Sequence, residues 1–302
     1  VTIYHPGEVE VQRRAGLESA ASSSGQAIKD TIPPIAAEFL AAQPMVVIGG
    51  TDRHGQVWSS LLTGPAGFMR AADDHTLAIE ALPGPHDPLA ELLSDQAHVG
   101  MIAIEPATRR RMRMNGTASP EGGGLRVNLD QVFANCPKYL QKRKLTVPAT
   151  GAGPTGETSA SRQPALTAVQ QLRITTADTF FVATADERGN ADASHRGGNP
   201  GFVEVLSPTK LRWPEYVGNA MFMTLGNLLV NPKAGLLIPD WDSGSFLHLT
   251  GTASTDWNPE HAAQVPGAQR LVEFDITEVV EVSGASPLRW SAPEYSRFNP
   301  AL

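Results

Sequence analysis

A long internal repeat governs what this sequence can become. The stretch MVVIGGTDRHGQVWSSLLTGPAGF, from Met45, lies over TFFVATADERGNADASHRGGNPGF, from Thr179, at a shift of 134 residues and without a gap. Asp52 falls on Asp186, Gly55 on Gly189, Ser60 on Ser194, Gly64 on Gly198 and Phe68 on Phe202. Farther along the shift becomes 135. There Leu93 meets Leu228, Gly100 meets Gly235, and Gly116-Thr117-Ala118-Ser119 meets Gly251-Thr252-Ala253-Ser254. A fixed period with a single slip marks a duplicated unit, so whatever the first copy folds into, the second must fold into as well.

The matched positions describe that unit. VVIGG and FFVATA are β-prone runs, and each leads into D-x-x-G. That spacing predicts a short hairpin with glycine at the position of positive φ. A second strand, a Gly-rich turn (GPAG, GGNPG) and a third strand follow in each copy. A short helix is expected next: from Asp87-Pro88 in copy 1, with proline just after the cap, and around 225–230 in copy 2, ending at Asn231-Pro232. Two more strands close each unit, VGMIAI with RMRMNGTAS and AGLLI with SFLHLTGTAS. A meandering antiparallel sheet with one helix sheds its edges most simply as a small closed or split barrel. The expected fold is therefore mainly β: two tandem split barrels forming a pseudo-dimer, with an N-terminal helical extension. The domains read as 1–44 (extension, with helix across 17–43), 45–144 (first copy), 145–172 (linker, Gly/Pro/Ser-rich at its start) and 173–302 (second copy). The tail 283–302 should run irregularly along a surface.

Composition removes several function classes. The 28 Gly and 24 Pro suit many turns and short strands rather than bundled helices. A net charge of −7 argues against non-specific nucleic-acid binding. One cysteine, Cys136, allows neither an intrachain disulfide nor a cysteine metal cage. No apolar run reaches the roughly 18 residues of a membrane span, and the polar start VTIYHPGEVE has no secretory core. A cytoplasmic protein, with no membrane partner and no metal, is the expectation. Motifs for dinucleotide-binding Rossmann folds, P-loops, zinc proteases and hydrolase elbows are absent. Asp240 and Asp242 flank a turn, PDWDSGS, and read as solvated.

Where the copies differ, function has room. Copy 2 carries Ser194-His195-Arg196-Gly197-Gly198 where copy 1 has Ser60-Leu61-Leu62-Thr63-Gly64. The reverse holds later: copy 1 has Arg109-Arg110-Arg111-Met112-Arg113 where copy 2 has Gly244-Ser245-Phe246-Leu247-His248. Each copy thus owns one basic strand segment that the other lacks. Strand alternation puts Arg111, Arg113 and Asn115 on one face and Arg110, Met112 and Met114 on the other. The forked guanidinium suits an anionic group, although arginines on a strand can equally serve a solvated face. Arg196 sits beside two glycines that could let backbone amides approach a ligand. The segment Asn135-Cys136-Pro137-Lys138-Tyr139 ends the first copy, as a simple exit to the linker or as a ligand contact.

These residues carry a family resemblance. FFVATADERGNADASHRGG, the helix end LLVNPKAGLLI with Asn227 just before it, and the closing strand SFLHLTGTAS resemble the FMN-binding split barrels of the pyridoxamine-phosphate-oxidase-like family. RRRMRMNGTAS of copy 1 resembles that family's flavin-contacting strand even better, and Tyr4-His5-Pro6-Gly7-Glu8 with NCPKY resembles its long bacterial members. The resemblance implies a flavin oxidoreductase in which FMN lies between two barrels. In a tandem chain, copy 2 would supply Ser194, His195, Arg196 and the Gly197-Gly198 amides. Copy 1 would supply Arg110, Arg111 or Arg113, with Lys138 and Asn227 as further candidates, and only one of two pseudo-equivalent clefts would be complete. NAD(P)H or a partner reductase would bring electrons to an unidentified small-molecule substrate, and two chains could pair further. The C-terminal pattern expected of a true pyridoxamine-phosphate oxidase is not clear around Arg289-Trp290 and Arg297. Related barrels bind haem, for which His195 or His248 would be the axial ligand, or the deazaflavin F420, or have lost catalysis.

Overall fold

The computed structural model describes residues 3–134, 136–150 and 157–301. The first copy contributes β1 (Met45–Thr51), β2 (Val57–Thr63), β3 (Met69–Ala71), β4 (Thr76–Ile79), β5 (Ala97–Glu105), β6 (Arg110–Glu121) and β7 (Gly124–Ala134). They form one antiparallel sheet in the order β2-β1-β5-β6-β7-β4-β3. After β8 (Leu145–Val147) and β9 (Ser159–Gln163), the second copy contributes β10 (Thr179–Ala185), β11 (Ala191–Gly197), β12 (Glu204–Ser207), β13 (Lys210–Glu215), β14 (Lys233–Pro239), β15 (Phe246–Asp256) and β16 (Arg270–Ser283). Their order is β11-β10-β14-β15-β16-β13-β12, the same path strand for strand. Among the described residues no ladder joins β2 to β3 or β11 to β12, so each sheet curls without closing.

The duplication extends to register. Met45 pairs with Thr63 as Thr179 pairs with Gly197, 134 residues on. His98 pairs with Thr117 as Lys233 pairs with Thr252, 135 residues on. Both long hairpins slip by one residue at the same place, between Asn115 and Gly116 and between Thr250 and Gly251. A bulge kept at equivalent points is a built feature that re-aims the strand. The D-x-x-G turns form as expected, with Gly55 at φ +73° and Gly189 at φ +85°.

Each copy has its own core: Ile48, Leu77, Met101 and Val127 in the first, and Val182, Leu211, Leu236 and Phe274 in the second. A third core joins them, built from Met45, Val47 and Ile102 of one copy and Phe181, Ala193 and Leu237 of the other. The strands here touch backbone to backbone. A Cβ on Gly49 would collide with Ala183, its own counterpart in copy 2. A Cβ on Gly100 would collide with Asp192, and one on Gly235 would meet the Cα of Trp58 at 2.5 Å. Gly100 and Gly235 are equivalent positions, as are Asp192 and Trp58, so the two contacts are images across a pseudo-two-fold axis through Gly49 and Ala183.

Other segments depart from the sequence reading. The N-terminal extension holds three helices, α1 (Pro6–Ala15), α2 (Glu18–Gly25) and α3 (Pro34–Ala42), rather than one across 17–43. Pro33-Pro34 starts α3 as expected, but α1 was not foreseen. The stretch 145–172, read as linker, carries β8, β9 and much of α4 (Ala168–Thr176). β9 extends the second sheet along β16, and α4 opens on a Thr167/Gln170 capping box. The helix expected after Asp87-Pro88 is reduced to turns and a 3-10 turn at Leu92–Ser94. Asp87 still caps, accepting from the Leu89 amide at 2.8 Å. Leu89 and Leu93 are drawn into the core and fix the segment there. Copy 2 has the full helix, α5 (Met223–Val230). α6 (Pro259–Ala262) is a single turn, and the tail is irregular except for β17 (Arg289–Trp290) against β8. Among the described residues no helix is long and apolar enough to cross a membrane.

Candidate functional site

β6 of the first copy runs against β11 of the second, and alternation decides what they present to each other. On β6, Met114 turns into the first core, while Arg111, Arg113 and Asn115 face across the junction. On β11, Ala193 joins the shared core while Ser194 and Arg196 flank it. The cleft so formed encloses a cavity of about 120 Å³ and opens to solvent. Arg111, Arg113, Lys138, Ser194, His195, Arg196 and Gly197 all line it. Seven of the sequence candidates, from three separated stretches and both copies, therefore meet.

The arginines differ in how their charge is met. Arg113 is ion-paired with buried Asp192 and stacks on Phe133. Arg196 donates Nε to Glu215 at 2.7 Å and Nη1 to the Ser194 hydroxyl. Arg111 donates to the Cys136 carbonyl and to His195 Nδ1, the latter at 3.1 Å. Among the described residues it reaches no carboxylate within ion-pair distance, and its Nε is cut off from solvent with no partner. Burial, with Arg113 and Arg196 close by, pushes its pKa down to about 10. His195 is buried, and burial plus the Arg111 and Arg196 charges holds its pKa well below the ordinary value. It is a neutral imidazole at physiological pH. Since arginine only donates, Nδ1 accepts and Nε2 carries the proton. That Nε2–H is buried and unpartnered.

The sequence reading missed one side of the cleft. Phe222 sits at φ +58° before α5, no side chain caps that helix, and Met223, Thr224 and Leu225 line the cavity. The first amides of a helix have no partner within it and attract anions. Tyr139 and Tyr216 stand at the edge with ring centroids 5.0 Å apart, and the buried Tyr216 hydroxyl has no partner. Only the long-range approach of the 214–222 loop brings these groups in, and no local motif announces it.

Three candidates lie elsewhere. Arg110 points to the other face of β6, exposed, paired with Glu105 at 2.8 Å and stacked on Phe39. The Gly198 amide is spent on the Asp178 carbonyl at 3.1 Å. Gly197 admits close approach of the Tyr139 carbonyl rather than of a ligand. Asn227 is buried in a different cleft, where it accepts from His5 Nε2 at 2.9 Å and donates to Thr184 at 3.0 Å. Asn135 lies outside the described residues. His248, the alternative axial ligand, is 0% exposed and bonded to the Ser59 carbonyl.

The pseudo-equivalent cleft also exists. There Phe246 and His248 stand where Arg111 and Arg113 do, and Leu61 and Leu62 stand where His195 and Arg196 do. It encloses only about 20 Å³, and the Asp87 carboxylate accepts from Ser60, the counterpart of Ser194. A carboxylate among apolar side chains rejects an anion. Of the two pseudo-equivalent clefts, among the described residues, one is therefore basic.

Comparison with known proteins adds the following. The family model of pyridoxamine 5'-phosphate oxidase matches residues 166–285. Among solved structures, a putative pyridoxamine 5'-phosphate oxidase from Lactobacillus delbrueckii is 22% identical and covers 38% of this chain and 93% of its own, with a TM-score of 0.32. A pyridoxamine 5'-phosphate oxidase-related, FMN-binding protein from Nostoc punctiforme is 12% identical over 42% and 92%, with a TM-score of 0.29. Group A Streptococcus HupZ is 13% identical over 37% and 90%, with a TM-score of 0.31. No curated protein matches the chain.

Proposed function

From a chain that residues 166–285 place in the pyridoxamine 5'-phosphate oxidase-like family, we propose a flavin oxidoreductase whose basic cleft grips the phosphate of one FMN. The observation that carries this reading is Arg111: a half-buried guanidinium, without a carboxylate among the described residues, aimed into a cavity shared by both copies. Removing a charge partly from water without a counter-charge costs about 1–2 kcal/mol once solvent screening is counted. A bound phosphate offsets that cost, and it satisfies the orphaned donors at Arg111 Nε, His195 Nε2 and the Tyr216 hydroxyl. An anionic group fits this donor set.

The residues divide the work. Arg111 supplies uncompensated charge from one copy, Arg196, ion-paired with Glu215, supplies a guanidinium from the other, Lys138 adds a cation at the rim, and the α5 terminus adds backbone donors. Glu215 holds the Arg196 guanidinium in orientation, and Asp192 neutralises Arg113 so that the cleft is not overcharged. Neutral His195 offers a hydrogen bond without further charge. The flavin, when bound, supplies two-electron redox chemistry that no side chain here can perform. On this reading the protein works in the cytoplasm on a small molecule, with NAD(P)H or a partner reductase as electron source.

The test is the visible absorption of protein purified from cells, followed by a screen for NADH and NADPH oxidation. A two-banded flavin spectrum that Arg111→Met and Arg196→Ala proteins lose supports the proposal. A haem Soret band, or a flavin spectrum indifferent to both substitutions, overturns it.

A further inference from the structure

A second cleft lies on the far side of the Arg113–Asp192 pair. It is bounded by α1, the turn between β10 and β11, and the outer faces of β6 and β7, and it has a volume of about 720 Å³. Its charge is opposite to that of the phosphate cleft. Asp130, Asp186, Glu187 and Asp192 line it against a single arginine, Arg188. The remaining titratable groups that line it are His5, His98, Tyr4 and Glu8. Glu8 is buried on α1, and burial pushes its carboxyl up to about 8. At neutral pH it adds little charge.

Acidic rims alone are common on solvated surfaces. The floor of this one is different. Asp192 is 3% exposed and Asn115 is 8% exposed, and both line the cleft. Asp192 Oδ1 is occupied by Arg113 and by the Asn115 amide, but Oδ2 is buried with no partner. Asn115 donates to Gln131 at 2.9 Å and leaves its Oδ1 buried with no partner. Two buried acceptors without a donor, one of them on a carboxylate, thus belong to side chains that line this cavity. Leaving such groups unsatisfied costs about 1–3 kcal/mol each.

The geometry points to a binding site for an organic ammonium ion, seated on Asp192 and Asn115 beneath the acidic rim. A guanidinium prefers both oxygens of one carboxylate, and Asp192 has only one to give. An ammonium has three divergent donors and suits two separate single acceptors. A metal ion does not fit: among the described residues no three His, Cys, Asp or Glu side chains gather to hold one. The site is distinct from the phosphate cleft and stands whether or not FMN is the anion held there.

The test is calorimetric titration of the flavin-free protein with putrescine, a diammonium, against 1,4-butanediol, its neutral counterpart. Putrescine is expected to bind at one equivalent per chain and butanediol not at all. Asn115→Ala should weaken binding about tenfold or more, the value of a buried hydrogen bond to a charged group. Asp130→Asn combined with Glu187→Gln changes only exposed residues and serves if the buried variant fails to fold. It should weaken binding about threefold at low salt, with the difference vanishing at high salt. No putrescine binding, equal binding of butanediol, or affinity unchanged in both variants overturns the proposal.

Discussion

Replacing Arg111 by methionine should move two properties in opposite directions. In the flavin-free protein the guanidinium is an uncompensated charge, and its surroundings pull its pKa from 12.5 to about 10. At about 1.4 kcal/mol per tenfold, that corresponds to about 3 kcal/mol of destabilisation. The side chain is only half-buried, so solvent screening reduces the figure to about 1–2 kcal/mol. Methionine fills a similar length without charge, and the loss of the bond to the Cys136 carbonyl returns about 1 kcal/mol. The flavin-free variant should therefore melt at the wild-type temperature or a few degrees above it, at about 2–4 °C per kcal/mol. FMN binding should fall about 30-fold or more, because truncating one partner of a close charge pair costs about 2 kcal/mol or more. Scanning calorimetry of the flavin-free form and fluorescence titration with FMN read the two effects separately. A variant that melts well below wild type yet binds FMN normally would show Arg111 to be a structural residue and refute the reasoning.

Further outcomes follow from the same geometry. Glu8 titrates near 4.5 when unfolded and at about 8 in the fold. Its contribution to stability is therefore complete below about pH 4.5 and is lost as pH rises toward 8, by at most about 5 kcal/mol. Glu8→Gln should flatten that fall in urea denaturation between pH 5 and 9, and identical slopes would discount the burial argument. Gly235→Val should cost about 3 kcal/mol or more by forcing β14 away from the Trp58 backbone, and chemical denaturation showing no loss would mean the copies are not packed backbone to backbone. Arg196→Ala should weaken FMN but leave riboflavin, which has no phosphate, unaffected, as equilibrium titration of both ligands would reveal.

Much of this was legible from repeated positions, because a duplicated unit must keep its turn glycines and its register. Gly55 and Gly189, or Gly100 and Gly235, align in sequence and perform the same task in space. The pairing of Arg111 with the β11 segment was legible for a related reason: each copy had lost what the other kept. The rest depended on contacts that local sequence does not encode. Arg110 and Arg111 are neighbours, and alternation alone told them apart without saying which face was the cleft. Asn227 sits one turn into α5 from the cleft, and its side chain turns away to His5. Phe222 takes a left-handed conformation that an apolar residue seldom adopts, so the α5 terminus gave no local sign of its role. His5-Pro6-x-Glu8 is a capping box with proline at the first helical position, a local signal for the start of α1.

Fluorescence titration of the flavin-free protein with FMN and with riboflavin tests the central claim most directly. An asymmetric pair of clefts, one basic and one filled, predicts a single FMN per chain and a large preference for FMN over riboflavin. Two equivalents per chain, or equal affinity for the two flavins, would mean that the divided charge of the two copies does not hold a phosphate.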